Sequence, residues 1–142
     1  MNRLSFVALG LSLLATPVLA QSAPGSSTVS LTFDTGAQTG AVMVALYDSE
    51  ASYESGRPVG SARIDVAAGQ RTATFNDLPA GDYAAKAFHD VDGNGEMATN
   101  PFGMPTEPYA FSNNAVGNMG PARWDRANFA VEGDVAQTIV IR

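Results

Sequence analysis

The chain has 142 residues, no cysteine, 14 acidic and 8 basic residues, and a formal net charge of −6. A chain of this length can form one domain with its own hydrophobic core. The lack of cysteine excludes disulfides and makes a zinc site improbable, and the acidity argues against nucleic acid or an anionic membrane surface as a partner. The charge favours a cationic partner, either a metal ion or a basic protein, or only keeps the protein soluble.

The first twenty residues have the pattern of a secretory signal peptide. Arg3 supplies a positive charge, residues 4–14 form a short apolar run, and Val18-Leu19-Ala20 is a small-residue cleavage site. The run is shorter than the roughly 20 apolar residues of a spanning helix, so cleavage is favoured over an uncleaved anchor. We therefore expect residues 1–20 to be removed, a flexible leader over residues 21–27, and a mature protein in the periplasm or secreted, without membrane insertion. Removing Arg3 makes the mature net charge 7 − 14 = −7.

Alternation of apolar and polar residues predicts β-strands that bury one face. Four such stretches come first, separated by glycine and proline turns, at residues 29–34, 42–47, 61–66 and 72–75. A fifth strand is predicted over residues 83–89, although its alanines make a helix the competing prediction. Two more strands are expected around residues 127–132 and 136–142, and at most one helical turn over residues 51–54. Seven short strands indicate an all-β protein, a single antiparallel β-sandwich over residues 28–142 of transthyretin-like or immunoglobulin-like type.

Residues 91–126 interrupt this regular spacing. The segment contains four prolines and five glycines, and its large apolar residues include Phe102, Met104, Tyr109, Phe111, Met119 and Trp124. A disordered linker would lack that apolar content. We expect one long ordered loop, folded over an end or a face of the sheets with its own aromatic residues as a small core.

The segment opens with a candidate calcium loop. Asp90, Asp92 and Asn94 alternate and are followed by Gly95 and Glu96, which is the first half of the ligand pattern of a helix-loop-helix calcium site. The twelfth position holds Pro101 instead of a bidentate carboxylate, and no helix is predicted on either side. A Ca²⁺ ion would therefore need oxygen atoms from elsewhere, and the candidates are Asn100 and Glu107. The alternative is a plain turn in which Asp and Asn bind their own backbone.

Other polar residues could form a catalytic or binding site. His89 is the only histidine, and with Asp90 or Glu107 as partner and Ser112 as nucleophile it could serve a hydrolase. No G-x-S-x-G turn surrounds Ser112, and a lone histidine beside a turn is more often structural. The alternative is a binding surface for a sugar or peptide, formed by His89, Tyr109, Ser112, Asn113, Asn114 and Trp124. These residues could equally well fill the loop and satisfy its backbone.

Two motifs resemble known families. Asn76 to Tyr83, with Leu78-Pro79-Ala80-Gly81-Asp82-Tyr83 at its centre, is similar to a corner of transthyretin-like and carboxypeptidase-regulatory-like sandwiches. More specifically, the chain resembles the bacterial domain of unknown function 2141 family in two stretches, Phe88-His89-Asp90-Val91-Asp92-Gly93-Asn94-Gly95 and Gly103-Met104-Pro105-Thr106-Glu107-Pro108-Tyr109-Ala110-Phe111-Ser112-Asn113-Asn114, and then at Gly120-Pro121 and Ala127-Asn128-Phe129. Asp92 stands where that family commonly has Asn, and Ala98 near a frequent Asp. The resemblance implies export and a sandwich fold, and no established activity.

Together these observations predict a non-enzymatic, exported binding or envelope-associated module. Its partner would be an unknown protein, peptide or carbohydrate, and Ca²⁺ would order residues 91–126 by neutralising Asp90, Asp92 and Glu96. The alternatives are a hydrolase that uses His89 with Glu107 or Asp90, and a structural partner of another envelope protein.

Overall fold

A computed structural model describes residues 25–142. The predicted signal peptide and residues 21–24 of the predicted leader lie outside the described residues. The leader ends slightly earlier than expected, because Ser27 already belongs to the first strand and its hydroxyl accepts a hydrogen bond from the Gly133 amide at 3.0 Å.

The structure is mostly β. In chain order its elements are β1 (Ser27–Asp34), β2 (Ala41–Tyr47), α1 (Glu50–Ser55), β3 (Gly60–Asp65), β4 (Thr72–Leu78), β5 (Gly81–Asp90), β6 (Tyr109–Phe111), a 3₁₀ turn (Ser112–Asn114), α2 (Trp124–Ala127), β7 (Phe129–Val131) and β8 (Val135–Val140). The first five predicted strands overlap β1 to β5, and β4 continues three residues beyond its predicted end. The alanine-rich segment is a strand and not a helix, because β5 hydrogen-bonds to β2 along its length.

The strands form two sheets. The three-stranded sheet has the order β4-β1-β8, and the five-stranded sheet has the order β3-β2-β5-β6 with β7 also paired to β5. The prediction of an entirely antiparallel arrangement is wrong for one pair, since β1 and β8 run parallel, with Val29 opposite Val135. Alternation along a single strand carries no information on the direction of its neighbour, so the sequence pattern could not show this.

The region predicted as one long loop contains regular structure. β6 pairs with β5, and Phe111 lies opposite Lys86. Only three residues of β6 join the sheet, too few for the alternation to stand out. α1 is slightly longer than the helical turn predicted over residues 51–54. Ser49 and Ser52 form a capping box at its start, and Gly56 ends it in the left-handed conformation at φ 66°.

Two apolar clusters hold these elements together. The larger cluster contains side chains from both sheets, including Leu31, Val44 and Ile139. The smaller lies on the other face of β2 and β5, where α1 and the chain after β6 cover Tyr47 and Ala84. β5 is therefore buried on both of its faces, and its alanines allow the close packing that this requires.

The apolar residues of the segment after β5 do not all pack against one another. Phe111 and Trp124 join the smaller cluster together with Tyr47 and Tyr53, which come from β2 and α1. Phe102, Met104 and Met119 are exposed. The expectation of a small core made from the segment's own aromatic residues is thus only partly correct.

Candidate functional site

The acidic loop begins at Asp90, the last residue of β5. Its side chain is 1% exposed, and its two carboxylate oxygens accept hydrogen bonds from the Asn94 amide at 3.1 Å and the Gly95 amide at 2.8 Å. Burial raises the pKa of this carboxyl, but hydrogen bonds, the largest effect coming from the Gly95 amide, lower it by more. The pKa of Asp90 therefore lies below its usual value, and the group is a buried carboxylate anion at neutral pH.

The next residues turn the chain around Asp90. The Asp92 carboxylate accepts from both the amide and the side-chain nitrogen of Asn94 at 3.1 Å, and the Asn94 side-chain oxygen accepts from the Glu96 amide at 2.8 Å. Gly93 and Gly95 have φ of 76° and 82°, a conformation that glycine adopts without strain. These bonds are the self-satisfied Asx turns of the plain-turn alternative.

Glu107 returns to the same loop from farther along the chain. One of its carboxylate oxygens accepts from the Val91 amide at 3.0 Å, and the other accepts from the Ala98 amide, also at 3.0 Å. A single side chain thus joins both ends of the acidic loop to the segment that leads into β6.

The result is a cluster of three carboxylates. Asp90, Asp92 and Glu107 each offer an oxygen, and these oxygens lie within 4.8 Å of one another. Like charges at such distances repel, and a hard divalent cation that prefers oxygen ligands would remove the repulsion. The backbone donors already described offset part of the charge, so the geometry suits both a hydrogen-bonded turn and a cation site.

The other three predicted ligands do not add to this carboxylate cluster, and the side-chain oxygen of Asn94 accepts from the Glu96 amide at 2.8 Å. Glu96 is exposed. The side-chain oxygen of Asn100 accepts from the amides of Phe102 and Met104 at 2.9 and 3.0 Å. Asn100 therefore stabilises a separate turn at the tip of the loop.

A glycine that the sequence reasoning missed supports the base of the site. Gly40 has φ of 70°, and a Cβ atom there would lie 2.0 Å from the backbone oxygen of Asp90. The neighbouring Thr39 carbonyl contacts Nε2 of His89 at 2.7 Å. A carbonyl oxygen can only accept, so Nε2 carries the hydrogen. Glycine is common in the turn before a strand, so the sequence does not indicate that the backbone at Gly40 lies this close to Asp90.

His89 and Ser112 lie inside the protein. His89 is 1% exposed and Ser112 is 0% exposed. The Ser112 hydroxyl accepts from the Ala85 amide at 2.8 Å and donates to the Ala127 carbonyl at 2.6 Å. It connects β5, the 3₁₀ turn and α2, and it does not share a hydrogen bond with His89.

The two asparagines after Ser112 satisfy backbone groups. Asn114 donates to the Thr138 carbonyl at 3.0 Å and accepts from the Val140 amide at 2.8 Å, as an additional strand would at the edge of β8. Asn113 donates to the Asn128 carbonyl at 2.7 Å. Both have positive φ, which asparagine tolerates better than most residues. These residues join the five-stranded sheet to β8 of the other sheet.

The remaining residues of the predicted binding surface do not form one groove. Tyr109 and Asn114 line a groove of about 420 Å³ together with Val140 and Arg142. Trp124 lines a different pocket, where its ring packs edge-on against Tyr53 at 5.7 Å.

A known protein family matches most of the chain. A sequence model of the family described as "Uncharacterized protein conserved in bacteria (DUF2141)" matches residues 34–139. No curated protein and no solved structure matches the chain. Within residues 25–142, the helices are all too short or too polar to cross a membrane.

Proposed function

The chain belongs to the bacterial DUF2141 family, and we propose that it is an exported, non-enzymatic binding module whose loop over residues 91–108 is ordered by Ca²⁺. The observation that carries this proposal is the approach of the Asp90, Asp92 and Glu107 carboxylate oxygens to within 4.8 Å of one another. The family resemblance inferred from the sequence is confirmed, but the family is uncharacterized, so the function is argued from the site.

Calcium suits this cluster better than magnesium does. Calcium accepts six to eight oxygens in irregular arrangements, whereas magnesium requires a near-octahedral set. The three carboxylates come from two separated parts of the loop, and backbone carbonyls and water would complete the set. A site without the bidentate twelfth ligand is expected to bind with a Kd of roughly 10⁻⁴–10⁻³ M, typical of extracellular modules.

Export and the arrangement of the sheets are part of the same proposal. The signal-like pattern of residues 1–20 supports export to the periplasm or the medium. The larger apolar cluster contains side chains of both sheets, which supports a β-sandwich of the transthyretin-like or immunoglobulin-like type. Weak calcium binding is useful in those compartments, where the free ion is more abundant than in the cytosol.

The contact surface would lie at the tip of the ordered loop. Phe102 is 87% exposed and Met104 is 58% exposed, and adjacent exposed apolar side chains are typical of interaction sites. An envelope protein, a peptide or a carbohydrate could be the partner. The turn at Asn100 fixes the conformation of this tip, and the acidic loop fixes the position of that turn.

The hydrolase alternative has less support. His89 and Ser112 are buried, and the hydrogen bonds of Ser112 and of His89 Nε2 go to backbone groups. A general base must reach the proton that it removes. The burial of both side chains counts against the hydrolase alternative, and it also places His89 and Ser112 outside the contact surface of the proposed binding module.

Thermal unfolding tests the calcium proposal. At a hundredfold excess over its Kd, Ca²⁺ should raise the free energy of unfolding by about 2.7 kcal/mol relative to chelator, measured by circular dichroism or calorimetry. Asp92→Asn and Glu107→Gln should each remove most of this increment. Glu132→Gln, which changes an exposed acid outside the cluster, should leave it intact. An equal melting temperature in chelator and in 10 mM Ca²⁺, a concentration of about ten Kd or more, would contradict the proposal.

A further inference from the structure

The only lysine of the chain lies in a second pocket, which shares no residue with the acidic loop. Lys86 is on β5, and its ammonium lies 3.9 Å from the ring centre of Tyr53 and 5.0 Å from that of Tyr47. It donates one hydrogen bond, to the Tyr53 carbonyl at 2.6 Å. Desolvation lowers the pKa of Lys86, and it raises the pKa of Tyr53 to about 12, with a smaller contribution from Tyr47.

No carboxylate in the described part of the chain pairs with the ammonium of Lys86. Among residues 25–142, the one ion pair joins Arg123 and Asp125 at 3.2 Å. An ammonium group has three N–H donors, and among residues 25–142 only the Tyr53 carbonyl accepts a hydrogen bond from it, while the rings of Tyr53 and Tyr47 contact the charge. A partly buried cation that has no carboxylate partner among these residues is a suitable contact for a ligand carboxylate.

The surroundings of Lys86 carry both signs of charge. The pocket measures about 370 Å³, and its charged lining residues are Lys86, Arg123, Glu50 and Glu54, beside Tyr53, Trp124 and Pro121. The Arg123 guanidinium is paired with Asp125 outside the pocket lining. This volume is at the lower end of the range for small-molecule sites. Glu50 and Glu54 belong to α1 and are exposed, so they form an acidic rim above a cationic and aromatic floor. The rim disfavours ligands with several negative charges, and it favours a ligand that also carries an amine.

We propose that this pocket binds a small zwitterion of the amino-acid class. The ligand carboxylate accepts hydrogen bonds from Nζ of Lys86, its ammonium group lies at Glu50 and Glu54, and its apolar part contacts Trp124 and Pro121. The inference does not depend on the proposed calcium site, and its test can be carried out in chelator.

Trp124 provides the signal for the test, because it is the only tryptophan in the chain. Three probes of similar shape test separately whether the pocket requires the carboxylate and the amine of its ligand. L-Phenylalanine carries both groups, 3-phenylpropanoate lacks the amine, and phenethylamine lacks the carboxylate. L-Phenylalanine should change the Trp124 fluorescence in a saturable way. The other two should bind about tenfold more weakly, since each loses one charge-assisted contact.

Substitutions of Lys86 and Glu54 test which side chain binds the carboxylate of the ligand and which binds its amine. Lys86→Met should weaken L-phenylalanine binding about tenfold, while Lys86→Arg should retain most of it. Glu54→Gln should weaken L-phenylalanine and leave 3-phenylpropanoate binding unchanged or stronger. This variant changes an exposed side chain, so it remains informative if Lys86→Met does not fold. Circular dichroism checks the fold of each variant.

Two outcomes would overturn the inference. One is the absence of any saturable change with all three probes at about 20 mM, a concentration that exceeds ordinary weak-ligand Kd values. The other is equal binding of L-phenylalanine and 3-phenylpropanoate, which would show that the acidic rim does not select an amine.

Discussion

At the scale of single residues, a polar side chain replaces backbone partners where the 3₁₀ turn packs against β5 and α2. Ser112 is fully buried and bridges the Ala85 amide and the Ala127 carbonyl. Buried backbone groups must be paired, because an unpaired group keeps its full desolvation cost. The serine is therefore a structural connector, although its residue type also suits a nucleophile.

Ser112→Ala is expected to destabilise the protein. The substitution leaves two buried backbone groups without partners, and each unpaired group costs about 1–3 kcal/mol. Chemical denaturation should therefore show a loss of about 2 kcal/mol or more. Ser61→Ala, an exposed serine on β3, is the matched control and should change stability by less than about 0.5 kcal/mol. Equal stability of the two variants would refute this role of Ser112.

At the scale of elements, the end of β5 and the turn before β2 depend on each other. Gly40 accepts hydrogen bonds from the amides of Val66 and Ala67 through its carbonyl at 3.1 and 3.4 Å. Its α-carbon faces the Asp90 carbonyl so closely that a side chain has no space. The position of the first carboxylate in the acidic loop is thus set by a turn fifty residues earlier.

Gly40→Ala should disturb both stability and cation binding. A left-handed φ costs a non-glycine residue about 1–2 kcal/mol, and relief of the clash with Asp90 must move the end of β5. We expect a loss of more than about 2 kcal/mol in urea denaturation and a smaller calcium-induced rise in melting temperature. Gly36→Ala, where a Cβ atom meets nothing within 4 Å, should resemble the unchanged protein. A full calcium-induced rise in melting temperature in Gly40→Ala would show that the turn at Gly40 does not influence the cation site.

At the scale of the whole molecule, the two sheets share one apolar cluster and the Asn113–Asn114 connection. Elements that bury a common core gain most of their stability together, which is why small domains unfold in one step. The smaller cluster around Trp124 and Tyr53 rests on the outer face of the five-stranded sheet. It should therefore unfold with the sheets.

Two probes measure this cooperativity. Trp124 fluorescence reports the smaller cluster, and far-UV circular dichroism reports all strands. We expect the two denaturation curves to coincide in midpoint and slope. A Trp124 transition at clearly lower denaturant would show that the segment after β6 is an independent unit.

The sequence predicts more of the fold than of the candidate site. Alternation located β1 to β4, since these strands bury side chains with period two, whereas the length of β5, its preceding turn and its strand neighbours located that strand. Alternation did not locate β6, which has three residues. Of the six predicted metal ligands, Asp90, Asp92 and Glu107 lie together, while Glu96 is outside that group and exposed. The Asn100 side chain accepts hydrogen bonds within a separate turn. Asn94 binds the Asp92 side chain and turns the loop.

Lys86 shows why the second pocket was missed. In sequence it is an ordinary polar residue of a strand, next to Ala85 and Ala87. Its contacts come from Tyr47 on β2 and Tyr53 on α1. No local pattern connects residues so far apart in the chain.

The amino-acid sequence by itself determined the β class, the family and the order of acidic residues after β5, because these depend on local alternation, motif spacing and residue type. Only the tertiary structure decided that Glu107 joins Asp90 and Asp92, that β8 runs parallel to β1, and that His89 and Ser112 are buried. The physical reason is that long-range packing sets these contacts, and the patterns used to interpret a sequence describe only neighbours along the chain.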